Sequence, residues 1–288
     1  MKIIRNILNI VLFVIMFFFI QLVTTFVVVG IQCFFQGIGT QQIMKMAGEG
    51  QLMPDSNGMI IISVVSSILT IALFIALHWA RPSRSYMRSR PWTTLAWVIV
   101  LALGTLIPST FLQELMPFDM PEDMQEMLRQ MMHNRWGYFA IGMLVPLAEE
   151  LVFRGAILRA LLEASPSISK GRGWEWMAIL ISALIFGAVH GNMPQGIHAT
   201  LIGLLLGWMY WRTRSIVPGV VFHWVNNTAA YVIANLIPNA EDAKLIDIFH
   251  GSQTHVYLAV LFSLLIMAPA LFQLWIRLKE PKEEQQVL

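Results

Sequence analysis

Three short groups of residues carry side chains that could do chemistry together. They are Glu149-Glu150-Leu151-Val152-Phe153-Arg154, Phe186-Gly187-Ala188-Val189-His190 and His223-Trp224-Val225-Asn226-Asn227. All three fall inside long apolar stretches, where each charge costs roughly 2.5–3.5 kcal/mol even on a lenient insertion scale. On a helix, the neighbours Glu149 and Glu150 point about 100° apart. Glu150 and Arg154 are four residues apart with the acid first, the favourable order for a pair on one face. Arg154 can therefore neutralise Glu150, and Glu149 is left facing elsewhere. An architectural ion pair accounts for Glu150 and Arg154 but not for Glu149. Pro146, one turn earlier, removes a backbone hydrogen bond and can kink the helix.

His190 is flanked by Gly187 and Gly191, which permit close approach of another helix. Taken singly, it reads most simply as a packing histidine. His223 and Asn227 share a helix face, and as interhelical hydrogen-bond partners they would be ordinary. The set says more than its members. A free carboxylate, two histidines and an asparagine suffice for water-driven amide hydrolysis. The glutamate acts as base on a water, with a histidine sharing or orienting the proton. A second histidine and an asparagine amide donate to the developing oxyanion. Glu149, His190 and His223 are equally plausible zinc ligands, and the residues alone leave both roles open. Other chemistries lack their residues: no Asp lies in an apolar run, and no Gly-x-Ser-x-Gly elbow or His-Glu-x-x-His helix occurs. His198 and Asn235 could line a cavity but read better as packing residues. Ser63, Ser66, Ser67 and Ser182 read as small packing residues.

The surrounding elements must be membrane helices. The chain is 57% hydrophobic and 12% charged, against about 25% charged in a soluble domain. Apolar runs of spanning length occur at about 6–32, 58–80, 92–112, 136–162, 174–191, 195–212, 216–237 and 255–277. The expectation is an all-α, polytopic integral membrane protein of about eight helices. It forms a single membrane domain over 1–288, with 136–237 holding the candidate site. The first run is too long for a signal-peptide core and reads as an uncleaved span. The net charge of +2 gives no reason to expect nucleic acid. Cys33 is the single cysteine, so no internal disulfide can form.

Basic residues cluster in alternate connections: Lys2 and Arg5; Arg81, Arg84, Arg88 and Arg90; Lys170 and Arg172; Arg212 and Arg214; Arg277, Lys279 and Lys282. The intervening connections lean acidic, with Glu114, Asp119, Glu122, Asp123 and Glu126, then Glu241, Asp242 and Asp247. The positive-inside rule then places both termini in the cytoplasm, in the inner (plasma) membrane. The 81–91 connection reads as a plain loop. Residues 121–133 read as an amphipathic helix with Met124, Met127, Leu128 and Met131 on one face. Trp92, Trp97, Trp136, Trp174, Trp176, Trp208 and Trp211 read as interfacial anchors, and His78 as interfacial. On this topology His190 lies near the outer end of its span, Glu149 near the middle and His223 in the inner half. A common site then requires tilt, a kink or shifted boundaries.

Read together, the three groups resemble the CPBP family of CAAX prenyl proteases of type II and bacteriocin-processing or self-immunity proteins, also called Abi. The family pattern is Glu-Glu-x-x-x-Arg, Phe-x-x-x-His and His-x-x-x-Asn, and all three are matched in order within about 136–237. The resemblance implies an intramembrane endopeptidase of about eight helices. Glu149 and His190 would activate water, His223 and Asn227 would form the oxyanion hole, and Glu150 and Arg154 would support the site. It carries a metal-dependent version, with zinc on Glu149, His190 and His223, and a glutamate-protease version that requires no cofactor, which is preferred. Substrates implied are prenylated CAAX proteins, peptides, bacteriocin precursors or membrane proteins, met in the lipid bilayer. A non-catalytic self-immunity or scaffold protein is the alternative.

Overall fold

In a bilayer core the backbone has no water to pair with, so spanning segments close their own hydrogen bonds as helices. The computed structural model describes residues 2–49, 52–80, 83–164, 173–237 and 243–279. Arg81, Lys170, Arg172, Glu241, Asp242 and Lys282 lie outside the described residues. Among the described residues every regular element is helical.

Among the described residues four helices are long and apolar enough to cross a membrane: α1 (Lys2–Phe35, from Ile4 on), α3 (Ser56–Ala76), α5 (Trp92–Glu114) and α13 (Gln253–Arg277). The other expected spans coincide with shorter or more polar helices. One is a continuous helix over 138–164 of alternating pitch: π1 (Tyr138–Leu144), α7 (Val145–Glu150), π2 (Leu151–Leu158) and α8 (Arg159–Ala164). The rest are α9 (Gly173–Ala188), α10 (Met193–Thr213) and α11 (Val217–Leu236). Short helices α2 (Thr40–Gly48), α4 (Arg84–Arg88), α6 (Glu122–His133) and α12 (Leu245–Ile248) fill connections. Asp55 caps α3, its carboxylate accepting from Gly58 N at 2.7 Å. Asn192 caps α10, accepting from Gln195 N at 3.0 Å. Both satisfy first-turn amides that a helix leaves unpaired.

The basic connections gather at one end of the bundle. Asn6 donates to Ala160 O at 3.2 Å. Arg159 donates to Trp79 O at 2.8 Å, and Arg212 to Trp275 O at 3.1 Å. Ser83 Oγ accepts from Ile216 N at 3.2 Å. At the other end Glu114 accepts from Leu245 N at 2.6 Å, and Asn235 donates to Met132 O at 3.1 Å.

Several expectations are corrected. The 81–91 connection is not a plain loop, because α4 buries Tyr86 to 4% exposure. Trp208 is no interfacial anchor; it is buried and stacks on Trp275 with centroids 6.4 Å apart. On α6, Met124, Leu128 and Met131 are half-buried, whereas Met127 is exposed. The first three repeat every three to four residues and so keep one face toward the protein. Asn235 is spent on backbone carbonyls of Met132 and Tyr231 and is exposed.

Candidate active site

The site is built on the 138–164 helix. Pro146 has no N–H to give the turn before it, and that turn widens to π geometry. A wide turn frees carbonyls, and side chains of α11 take them. Asn227 Nδ2 donates to Ile141 O at 3.0 Å, and Trp224 Nε1 to Met143 O at 2.8 Å. In the second wide stretch, Phe153 O accepts from Ser182 Oγ of α9 at 3.0 Å. The kink expected at Pro146 is therefore a change of pitch that docks two neighbouring helices.

Glu150 and Arg154 form the expected pair, with Arg154 Nη1 to Glu150 Oε1 at 2.7 Å. Both are sealed, at 0% and 1% side-chain exposure. The Arg154 guanidinium lies over the Phe186 ring, 4.3 Å from its centroid, a contact that strengthens once water is excluded. Two glycines make room for the pair. A Cβ on Gly219 would meet Glu150 Oε2 at 2.5 Å, and one on Gly203 would meet Arg154 Nη2 at 3.3 Å.

Phe186 is the hub that sequence reasoning undervalued. Its ring touches His190 edge-on at 5.1 Å and His223 edge-on at 6.1 Å, and it packs on Phe153 at 5.0 Å. Its place four residues before His190 was the available signal. His190 itself lies past the last residue of α9, in the turn to α10. Its Nδ1 is 2.8 Å from Phe186 O. A carbonyl only accepts, so Nδ1 carries the proton and Nε2 keeps a free lone pair. The depth expected of His190 does not keep it from Glu149, because both line one cavity. Helix α6 meets the turn after α9, with Asn192 Nδ2 3.7 Å from Met124 Sδ. Backbone contact holds α9 on α10: a Cβ on Gly187 would lie 2.1 Å from Thr200 Oγ1 and 2.4 Å from Gly196 O.

Glu149 and His190 line one cavity of about 220 Å³. Glu149 Oε2 is 3.7 Å from His223 Nε2, and His223 Nδ1 is 3.4 Å from Glu150 Oε1. His223 thus stands between the two carboxylates, one neutralised by Arg154 and one not. Asn227, one turn further along α11, keeps one of its two N–H groups after the bond to Ile141. His198 lies within electrostatic range of both His190 and His223. Thus Glu149, Glu150, Arg154, His190 and His223 come together, through the carboxylates and Phe186, whereas Asn227 stands one turn from His223 on Ile141 O, and neither of these last two lines the cavity.

Sequence reasoning missed the far wall. Across the cavity stand Phe17 and Gln21 of α1 and Ser63, Ser66, Ser67 and Thr70 of α3. The serines there are lining residues rather than mere packing. The zinc set fits poorly. Among the described residues no three His, Cys, Asp or Glu side chains converge as metal ligands would.

Residues 132–229 match the family described as type II CAAX prenyl endopeptidase Rce1-like. Among curated proteins, the Bacillus subtilis (strain 168) protein described as "Putative membrane peptidase YdiL" is 31% identical over 88 residues. That alignment covers 31% of this chain and 33% of the relative, so the chain spans about a third of the length of the curated relative it matches. No solved structure matches. The matched segment holds all three motifs, from π1 through most of α11, so the likeness to CAAX-type membrane peptidases rests on the part of the chain that carries the candidate site.

Proposed function

We propose that the chain is an intramembrane endopeptidase that hydrolyses a peptide bond with a water activated by Glu149 and His190. One observation carries this reading. Glu149, whose neighbour Glu150 is already neutralised by Arg154, shares a cavity with His190 and faces His223. Glu149 takes a proton from water as the oxygen attacks the scissile carbonyl carbon, and the Nε2 lone pair of His190 orients that water. The oxyanion forms beside the His223 ring and the remaining Asn227 N–H, the latter set in advance by the bond from Asn227 to Ile141 O. Collapse breaks the C–N bond, and the proton held by Glu149 passes to the leaving amine. Glu150 and Arg154 position His223 and hold α7 against α9. No step is routed through zinc. The substrate is a CAAX-type, peptide or membrane-protein segment presented within the bilayer. The eight-span topology, with both termini cytoplasmic in the plasma membrane, belongs to this reading.

The test deletes the gene in its host and complements with wild type or Glu149→Gln at matched membrane abundance. Peptide termini in membranes and medium are then mapped. Termini that vanish in the deletion, return with wild type and stay missing with Glu149→Gln support the protease. Loss of the base should cost roughly 10²–10⁴-fold in rate. Full restoration by Glu149→Gln overturns catalysis and leaves a self-immunity or scaffold role.

A further inference from the structure

The wall of the cavity opposite Glu149 lies outside the matched segment and is unusually polar for a membrane helix. Ser63, Ser66, Ser67 and Thr70 fall at helical spacing on one face of α3 and line the same cavity as Glu149 and His190. Gln21 of α1 stands beside them. Their hydrogen bonding divides them in two. Ser63 Oγ donates to Met59 O at 2.9 Å, and Ser66 Oγ to Ser63 O at 3.4 Å. These two keep only lone pairs to offer. Ser67 and Thr70 are buried to 5% and 1% exposure, line the cavity, and make no side-chain hydrogen bond with any described residue. Their oxygens open on the cavity, so their O–H groups are free to donate into it.

A substrate supplies what they lack. A peptide bond cannot be attacked while its segment is an intact helix, and an unwound segment in a bilayer exposes amides and carbonyls that cost several kcal/mol each when unpaired. From Ser63 to Thr70 the helix rises about 10 Å, which is about three residues of an extended chain at 3.3 Å each.

We infer that the Ser63–Thr70 face of α3, with Gln21, is the substrate-binding wall, which hydrogen-bonds the backbone of an extended peptide segment of about three residues beside the bond that Glu149 attacks. Thr70 and Ser67 donate to its carbonyls, Ser63 and Ser66 accept from its amides, and Gln21 does either. This recognition reads backbone and not side chains. It rests on the protease reading above.

The test starts from the termini that distinguish wild type from Glu149→Gln. If none do, the protease reading falls and this inference falls with it. Peptides spanning an identified cleavage site are then made, one natural and a series with single backbone amides N-methylated. They are assayed with the full chain in lipid nanodiscs. Thr70→Val and Ser67→Ala should raise KM at least fivefold with kcat within twofold, and Thr70→Ser should restore KM. At one position N-methylation should cost wild type at least fivefold in kcat/KM. In Ser63→Ala or Ser66→Ala that cost should shrink below twofold. Unchanged KM in Thr70→Val and Ser67→Ala overturns the inference. So does a loss in kcat alone, which would make the hydroxyls a path for water, and so does an N-methyl cost that is the same in wild type and both serine variants.

Discussion

The outer and inner helices of this protein solve opposite problems. In the most apolar windows of α1, α3, α5 and α13, only 22%, 33%, 33% and 17% of residues are buried in protein, and the rest face outward. In π2 all eight residues are buried. The outer set presents Phe18, Phe26, Leu261 and Phe272 outward. The inner set carries a sealed ion pair, three histidines and the glycines that make room for them. The difference shows where charge can be kept inside a bilayer. It is tolerable only where protein has replaced lipid on all sides and supplied partners.

That contrast predicts unequal sensitivity. Breaking the inner pair should cost most. Arg154→Met leaves Glu150 buried and uncompensated, and should cost about 3–5 kcal/mol, seen as lost thermal stability in detergent. Replacing both at once, Glu150→Leu with Arg154→Met, should recover much of that stability and none of the cleavage. Gly219→Ala comes next. Its Cβ would sit 2.5 Å from Glu150 Oε2, and overpacking of this kind costs about 1–3 kcal/mol. Cleavage should fall further than stability, because Glu150 and His223 must both shift. Phe186→Leu removes the face under Arg154 and should cost on the order of 1–2 kcal/mol. Outward positions should be nearly silent. Phe272→Ala, 63% exposed, should change stability by less than about 0.5 kcal/mol, since lipid tails are as apolar as the side chain they meet. A large loss there would mean α13 packs against something other than lipid.

The last effect, silent at neutral pH, lies outside the spans. Burial pushes the Tyr86 hydroxyl up to about 12 from an ordinary 10.0, and its oxygen has no hydrogen-bond partner among the described residues. The unfolded chain ionises first as pH rises, so the folded state loses stability between those two values. Tyr86→Phe should remove that alkaline loss and leave stability at neutral pH unchanged or slightly higher. A melting series in pH checks it.

Much of this was legible from local pattern. The eight apolar runs lie within a few residues of the helices seen, because length and hydropathy are properties of a segment alone. The Glu150–Arg154 bond was legible because four residues on a helix is a fixed distance. The family motifs pointed to the same side chains. Elsewhere local pattern misled. Trp208 looks like an anchor by its position near a span end, yet the stacking of Trp275 makes it core. His190 looked too far out when depth was read from span order, yet it lines one cavity with Glu149.

By itself, then, the sequence determined an all-helical membrane protein, the identities of the residues that meet in its centre, and the local pairing of Glu150 with Arg154. It could do so because each depends on composition or on spacing within one helix. Only the tertiary structure decided that Glu149 faces His223 across helices, that wide turns around Pro146 and Phe153 lend carbonyls to α9 and α11, and that α1 and α3 close the cavity with hydroxyls. Those are contacts between segments distant in sequence. They follow from which helix faces pack together, and no single segment carries that information.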